Sequence, residues 1–125
     1  MPTLGRINRL TYWLALLAVA VINAILTRVI DKSAPALFVL IVIIAVPRLH
    51  DIGRTGWWAL GTVAGEFLAG IAIALLLPEA IRLYALFGVM SVVAGLIILV
   101  GAWPGQALPN RFGPQPARGI SYSKF

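Results

Sequence analysis

The sequence contains no cysteine, one histidine and only four acidic residues. The absence of cysteine excludes disulfides, thiolate metal sites and cysteine nucleophiles. The single histidine has no second histidine with which to build a metal site. We therefore predict that the protein holds neither a metal ion nor any other cofactor.

Charged residues are also scarce, at 11% of the 125 residues, whereas hydrophobic residues make up 61% and the mean hydropathy is +0.97. Soluble domains contain about a quarter charged residues and about half apolar ones. A chain of this length has too small an interior to bury so many Leu, Ile, Val and Ala side chains. Lipid is the solvent that fits, so we predict an all-α integral membrane protein.

The net charge is nevertheless +6, because ten Lys and Arg residues stand against four acids. In a soluble protein this excess would suggest nucleic-acid binding, but the sequence has no recognition helix or exposed aromatic strand pattern. The basic residues instead lie in short connectors beside apolar segments, which suits anionic lipid headgroups. We expect membrane lipids, anionic ones included, as partners, and no nucleic acid.

Four apolar segments follow one another along the chain. The first has about 20 residues, enough to cross a hydrocarbon core of about 30 Å. A cleaved signal peptide is the alternative for this segment, because Ala18-Val19-Ala20 resembles a cleavage site, but the apolar run continues well past it. We predict one membrane domain over residues 1–125, with transmembrane helices at 10–30, 34–50, 57–77 and 82–103 and an irregular cytoplasmic tail, rich in Pro and Gly, at 104–125.

The second segment is the shortest of the four, because its apolar part ends before Pro47. Proline often kinks a membrane helix without ending it, so we expect this helix to continue to Leu49 or His50. Gly53 is the expected C-terminal stop of this helix, and Thr55 is the expected N-cap of the third helix.

Lysine and arginine are unequally divided between the two ends of the predicted bundle. Cytoplasmic connectors carry an excess of these residues, and the excess sets the orientation. The count is seven against three, which predicts that both termini and the central connector are cytoplasmic. The seven are Arg6, Arg9, Arg48, Arg54, Arg111, Arg118 and Lys124, and the three are Arg28, Lys32 and Arg82.

Glu66 is the only acid inside a predicted transmembrane helix, nine residues beyond Trp57. This spacing places it about 13 Å along the helix axis, where a carboxylate is costly unless it is protonated, paired or in contact with a wet cavity. Asn23 and Ser91 are candidate polar neighbours. Glu66 either binds a proton or cation in a small carrier or joins helices through a hydrogen bond. We favour the second interpretation, because a transport path usually contains more than one ionisable group.

Gly61 and Gly65 in the third segment, and Ser91 and Gly95 in the fourth, have the small-residue spacing that lets membrane helices approach closely. Packing within the chain and a dimer interface both use this pattern. We favour packing within the chain and keep a homo-oligomer as the alternative.

The central connector, Arg48-Leu49-His50-Asp51-Ile52-Gly53-Arg54-Thr55-Gly56-Trp57-Trp58, holds the densest group of polar side chains. Adjacent helical residues point in different directions and no nucleophile has an evident place beside His50 and Asp51, so we expect no enzymatic activity. Asp51 is expected to pair with an arginine, since a guanidinium fits a carboxylate through two hydrogen bonds. Five arginines are expected to converge here, either to hold the loops together or to bind a phosphate headgroup: Arg6, Arg9, Arg48, Arg54 and Arg111.

Three sequence blocks together resemble the bacterial family of small inner-membrane proteins catalogued as domain of unknown function 805. They are Gly5-Arg6-Ile7-Asn8-Arg9 followed by Tyr12-Trp13, the central connector, and Asn110-Arg111-Phe112-Gly113-Pro114. The resemblance covers essentially the whole chain and implies a helical protein of the bacterial cytoplasmic membrane, but no reaction, and Glu66 lies in none of the blocks. Besides the arginines, the motif residues that we interpret as structural are Gly5, Asn8, His50, Asp51, Gly53, Gly56, Trp57, Asn110, Gly113 and Pro114.

The sequence therefore predicts a multi-pass four-helix bundle whose Arg-rich cytoplasmic loops pack together. Its predicted function is that of a non-enzymatic inner-membrane module, of unknown specific role, that binds anionic lipid headgroups or an acidic partner through its arginines. The alternative is a small transporter or channel subunit that uses the carboxylate of Glu66.

Overall fold

The computed structural model describes residues 4–30 and 35–124 of the chain. Within these residues it has four helices and one short two-stranded sheet, which confirms the predicted helical class. Lys32 and Ala34, used above in the charge count and in the second predicted helix, lie outside the described residues. The elements in chain order are β1 (Arg6–Ile7), α1 (Arg9–Ile30), α2 (Pro35–Asp51), α3 (Trp57–Leu76), α4 (Glu79–Ala102) and β2 (Tyr122–Ser123).

The first turn of α1 is capped by a side chain. Asn8 stands directly before the helix, and its Oδ1 accepts a hydrogen bond from the backbone N–H of Thr11 at 2.9 Å. The first N–H groups of a helix have no partner within it, so this bond satisfies one of them. The cap fixes the point at which the N-terminal segment turns into the helix.

The end of α2 is set by Gly53, as predicted. Pro47 lies inside the helix without ending it, and Gly53 follows the helix with φ of +78°, a left-handed conformation that glycine adopts without steric cost. The N–H of Gly53 donates to the His50 carbonyl at 3.1 Å, and that of Arg54 to the Leu49 carbonyl at 2.8 Å. These two bonds are the Schellman pair that closes a helix on a left-handed residue.

α3 begins at Trp57 as predicted, but its N-cap and the start of α4 differ from the predictions. The N-cap of α3 is Gly56, with no side-chain hydrogen bond, so Thr55 does not cap the helix. α4 begins at Glu79 and not at residue 82. Pro78 precedes it with a φ already fixed near the helical value, and the positive end of the helix dipole favours the acidic Glu79 in the first turn.

Three of the helices, α1, α3 and α4, are long and apolar enough to cross a membrane. α2 has 17 residues, fewer than the about 20 of a typical crossing. Large apolar side chains on these helices face outward, with Phe67 exposed by 73% and Leu75 by 77%. Such surfaces suggest a membrane protein, because a soluble monomer rarely exposes contiguous apolar patches of this kind.

The helices pack most closely at one end of the bundle. α1 packs against α2 and α3 against α4, and α2 also contacts α3 and α4. Near the start of α1, the fully buried Tyr12 donates its hydroxyl hydrogen to the Ile97 carbonyl at 2.9 Å, and a Cβ on Gly101 would overlap the Trp13 ring. Farther along the bundle, the Cβ positions of Gly61, Gly65 and Gly95 have nothing within 4 Å. The close packing predicted within the chain at these glycines is therefore not found.

The tail after α4 ends in a strand, which the predicted irregular tail did not include. β2 pairs antiparallel with β1, with Arg6 opposite Ser123 and Ile7 opposite Tyr122. The Ser123 hydroxyl also donates to the Pro114 carbonyl. Strands of two residues are too short to show the alternation by which a strand is recognised in a sequence. The ladder joins the two ends of the chain beside the closely packed end of the bundle.

Candidate functional site

Arg6, Arg48 and Asp51 meet at the closely packed end of the bundle, and we call this group the Asp51 cluster. Asp51 is the last residue of α2, Arg48 lies one turn before it, and Arg6 is on β1. All three are buried, with exposed fractions of 0% for both arginines and 3% for Asp51. The pairing with arginine that was predicted for Asp51 is therefore confirmed.

Arg6 uses all five of its guanidinium N–H donors. Nε and Nη2 donate to the same carboxylate oxygen of Asp51, at 3.1 and 2.9 Å. Nη2 also donates to the Gln106 carbonyl at 2.5 Å, and Nη1 donates to the carbonyls of Leu108 and Gly113 at 2.9 and 3.1 Å. A guanidinium has five donors and no acceptor, so in this arrangement Arg6 has none left for an external phosphate.

Arg48 connects the same carboxylate to the end of α4. Its Nη1 donates to the other oxygen of Asp51. Its Nε donates to the Val100 carbonyl at 3.1 Å, and its Nη2 donates to the Trp103 carbonyl. The last carbonyls of a helix lack partners within it and form the negative end of its dipole, so a cation there is stabilising. Arg48 therefore caps α4 while it pairs with Asp51.

The Asp51 cluster holds two formal positive charges and one negative charge. A buried charge without a partner costs several kcal/mol, about 3–5 when a pair is broken. Here the excess positive charge is met by backbone carbonyl oxygens between residues 100 and 113. The Gln106 N–H in turn donates to the Asp51 carbonyl at 2.7 Å. The tail is thus bound to the cluster through its backbone.

Two glycines permit this close approach of the tail. A Cβ on Gly105 would overlap the carboxylate of Asp51, and a Cβ on Gly5 would overlap the Ser123 carbonyl on β2. Gly5 belongs to the motif residues interpreted as structural. Gly105 was not predicted, because its need for a bare backbone comes from a contact between segments far apart in the sequence.

His50 is fully buried and binds the N-terminal segment. Its Nδ1 lies 2.5 Å from the Leu4 carbonyl oxygen and 3.1 Å from that of Gly5, and since carbonyl oxygens only accept, Nδ1 carries a proton. The imidazole stacks on the Phe112 ring with centroids 3.8 Å apart. His50 lies in the last turn of α2, beyond the apolar part of that helix and within the polar packed end. Burial lowers its pKa below the ordinary value, which favours the neutral imidazole.

Two motif asparagines connect other parts of the tail to the helices. The side-chain amide of Asn8, at the start of α1, donates to the carbonyls of Ala117 and Gly119 at 2.8 and 2.6 Å. The side-chain amide of Asn110 donates to the His50 carbonyl, at the end of α2, at 2.8 Å. Both residues therefore hold the tail against the same end of the bundle.

The other three arginines of the predicted group, Arg9, Arg54 and Arg111, are exposed. The guanidinium carbon of Arg111 lies 4.6 Å from the centroid of the Phe112 ring, as in a cation–π contact. Trp57, three residues after Arg54, is exposed by 63%. The five arginines thus fall into two sets, one buried and paired and one that presents its charges outward.

Glu66 lies midway along α3, in a groove of about 510 Å³ between α3 and α4. Its Oε2 is buried and has no hydrogen-bond partner in the described part of the chain. Neither of the predicted polar neighbours donates a hydrogen bond to this oxygen. The Ser91 hydroxyl donates to the Phe87 carbonyl of its own helix, and Asn23 lies on α1, which does not line the groove. The structure does not join these three polar residues into one site.

The hydrogen bonds of the Asp51 cluster suit a structural role, in which the cluster holds separate segments of the chain together. Among residues 4–30 and 35–124, no three His, Asp or Glu side chains lie together as metal ligands. Both oxygens of the Asp51 carboxylate accept hydrogen bonds from guanidinium groups. What this arrangement does is join the start of α1, the end of α2, the end of α4 and the tail.

A family model described as "Protein of unknown function (DUF805)" matches residues 2–114. The chain belongs to the DUF805 family. The matched range contains all three sequence blocks and every residue of the Asp51 cluster, and the family description names no activity. No match was found among curated proteins or among solved structures.

Some contacts in this DUF805 chain had no signal in the sequence. The Tyr12 hydroxyl, the Phe112 ring beneath His50 and the backbone of Gln106 all take part in the packed end, but only their contacts reveal it. Tyr12 and Phe112 lie inside two of the three sequence blocks, but membership of a block does not indicate which residue each one contacts. Gln106 contributes backbone atoms that any residue has, so its identity could not point to the role.

Proposed function

We propose that this DUF805 chain is a non-enzymatic module of the bacterial inner membrane that binds anionic lipid headgroups through Arg9, Arg54 and Arg111. The observation that carries the proposal is the division of the arginines. Arg6 and Arg48 are buried in the Asp51 cluster, while the other three are exposed. An acidic protein partner would use the same exposed charges, but the apolar helices beside them favour lipid.

The contacts of the Asp51 cluster support a four-crossing topology. Arg6 precedes α1 and Asp51 ends α2, so their ion pair places the start of one helix beside the end of the other. The bond from Arg48 to the Trp103 carbonyl brings the end of α4 to the same place. We propose that α2 returns across the bilayer alongside α1 and that the shared end, with both chain termini, is cytoplasmic.

Two further features support the cytoplasmic assignment. Seven of the ten Lys and Arg residues belong to this end by the charge count, and cytoplasmic connectors carry such an excess. Three tryptophans near this end are largely exposed, Trp57 by 63%, Trp58 by 62% and Trp103 by 54%. Tryptophan is enriched at membrane–water interfaces, where headgroups lie within reach of neighbouring arginines.

The proposal is tested with the purified protein in nanodiscs or mixed micelles, by native mass spectrometry against phosphatidylglycerol and phosphatidylcholine. Each Arg near an anionic surface contributes about 1 kcal/mol, so replacing Arg9, Arg54 and Arg111 together by Gln should lower the preference for phosphatidylglycerol roughly 100-fold. Arg28→Gln, near the opposite end of α1, is the matched control and should leave the preference unchanged.

The proposal is wrong if the native protein shows no preference for the anionic lipid. It is equally wrong if the triple variant keeps the full preference while remaining folded. Retention of an acidic protein by the native chain, with no lipid preference, would assign the exposed arginines to the acidic partner.

A second candidate function, a small transporter or channel subunit, is favoured by one observation. Glu66 brings a carboxylate into an apolar groove with its Oε2 unpartnered among the described residues. Glu66→Gln should abolish proton-coupled flux in proteoliposomes if the protein is a carrier. Equal flux in the variant, or no flux above that of empty liposomes in the native protein, would exclude this function.

A further inference from the structure

We infer that the groove between α3 and α4 binds an amphiphilic primary amine, with the ammonium group on Glu66 and the apolar body against the helices. The inference names a ligand class for the second candidate function, on which it does not depend, because binding requires no transport. It also concerns a different part of the molecule from the exposed arginines.

The size and lining of the groove fit a small amphiphile. Its volume of about 510 Å³ lies within the range of small-molecule sites, about 300–1,000 Å³. Val63 and Phe67 on α3 and Leu86 and Met90 on α4 line it with apolar surface, and Glu66 is the one charged residue in the lining. A ligand with one cationic group on an apolar body matches this distribution of polarity.

The oxygen of Glu66 that lacks a hydrogen-bond partner favours a cation that carries N–H donors. A buried acceptor without a donor costs about 1–3 kcal/mol, more when it is charged, so the site gains from a ligand that brings N–H groups. Oε2 has no donor among the described residues, and the hydroxyl of Ser91, a predicted neighbour, donates to its own helix. A primary ammonium offers three donors together with a positive charge, whereas a quaternary ammonium offers only charge.

The depth of Glu66 along α3 determines which amines can reach it. Nine residues separate it from Trp57, or about 13 Å along α3. The amine of a phospholipid headgroup stays at the membrane–water interface and does not reach that depth, so the ligand is a free amphiphile. The groove is open, and Phe67 on its rim is exposed by 73%, so a compound dissolved in the bilayer has access from the side.

The inference is tested by equilibrium dialysis of the full chain in nanodiscs against radiolabelled 1-adamantylammonium, with binding to empty nanodiscs subtracted. 1-Adamantanol, the same cage without the charge, is the matched ligand. The native protein should bind the amine saturably, and Glu66→Gln should weaken that binding about tenfold or more, since hydrogen bonds to charged groups are the stronger ones. Glu79→Gln, an exposed acid at the start of α4, is the control and should bind as the native protein does.

A second variant keeps the test decisive if Glu66→Gln fails to fold. Met90→Trp fills the groove without altering the carboxylate, and it should remove the saturable binding of the amine. The inference is overturned if the native protein binds the amine no more than empty nanodiscs do, if the alcohol binds as tightly, or if either groove variant folds and binds the amine normally. Saturable binding without any flux would uphold this site while rejecting the transporter.

Discussion

The packed end and the apolar helices differ in how their side chains are solvated. At the packed end, charged groups are buried and every donor of Arg6 has a partner. Along the apolar helices, large hydrophobic side chains such as Phe67 and Leu75 face outward. In lipid, apolar surfaces gain little by meeting each other, so helix association depends on specific contacts and hydrogen bonds. The packed polar end therefore defines the arrangement of the helices, while the outward apolar faces are suited to contact with lipid.

Glycines show the same contrast on a smaller scale. At the packed end, an added Cβ on Gly105 would overlap the Asp51 carboxylate. On the apolar helices, the corresponding positions of Gly61 and Gly65 are open. The same residue type is therefore a requirement of packing in one region and leaves unoccupied surface in the other.

The largest expected effect comes from removing the negative charge of the packed end. Asp51→Asn leaves two buried guanidinium groups without a counter-charge, and breaking a buried pair in this way costs about 3–5 kcal/mol. We expect a clear fall in the thermal melting temperature of the protein in detergent, measured by the loss of helical circular dichroism.

The control for this prediction is Glu79→Gln, which neutralises an exposed acid. Loss of its interaction with the dipole of α4 should lower stability by no more than about 1 kcal/mol, well below the loss expected for Asp51→Asn. If Asp51→Asn melts at the same temperature as the native protein, the buried ion pairs do not stabilise the fold.

A smaller effect distinguishes the two kinds of glycine. Gly105→Ala forces the tail or Asp51 to move and should cost about 1–3 kcal/mol, as overpacking does. Gly61→Ala adds a methyl group in open space within a helix and should be neutral or stabilising by about 0.5–1 kcal/mol. Denaturant titrations of the two variants in the same detergent give the comparison. If Gly105→Ala loses no stability relative to Gly61→Ala, the tail does not lie against Asp51. A change of oligomeric state in Gly61→Ala would identify its face as an interface.

The smallest effect is a dependence of stability on pH through His50, the only histidine in the chain. Burial, and to a lesser extent the charge of Arg111, lowers the pKa of His50 from its ordinary value of 6.5. The unfolded chain then binds a proton more readily than the folded one, so the stabilisation is complete above pH 6.5 and declines as the pH falls below it.

Melting temperatures between pH 7.5 and 5.5 measure this dependence. His50→Gln keeps an N–H donor for the Leu4 carbonyl but does not titrate in this range, so its curve should be flatter than that of the native protein. Parallel curves for the two proteins would show that protonation of His50 does not affect the fold.

The sequence predicted the parts of this fold that depend on local chemistry. The helices follow from the length of the apolar runs, and the stop at Gly53 follows from the conformation that only glycine adopts easily. The pairing of Asp51 with an arginine follows from the scarcity of acids beside so many cations. The three sequence blocks indicate the family without any knowledge of contacts, and the family model confirms it.

What the sequence could not predict depends on contacts between distant segments. The sequence predicts that five arginines converge in one group. Which of them are buried, as Arg6 is, and which are exposed, as Arg9 is, depends on where the tail lies. The tail is held by its backbone atoms, which every residue has, and the β1–β2 ladder is two residues long. The predicted start of α4, at residue 82, is three residues too late, because a proline such as Pro78 is common in turns as well as directly before a helix.

Hydrogen–deuterium exchange of the tail amides, in nanodiscs, tests the central claim most directly. The N–H group of Gln106 donates to the Asp51 carbonyl. Those of Phe112 and Gly113 donate to Asn110 of the tail, whose side-chain amide donates to the His50 carbonyl. These three tail amides are the ones to follow. They should exchange slowly in the native protein and much faster in Asp51→Asn, while amides in the middle of α3 stay protected in both. If those tail amides exchange freely in the native protein, the tail is not bound to the Asp51 cluster, and this account of the polar end is wrong.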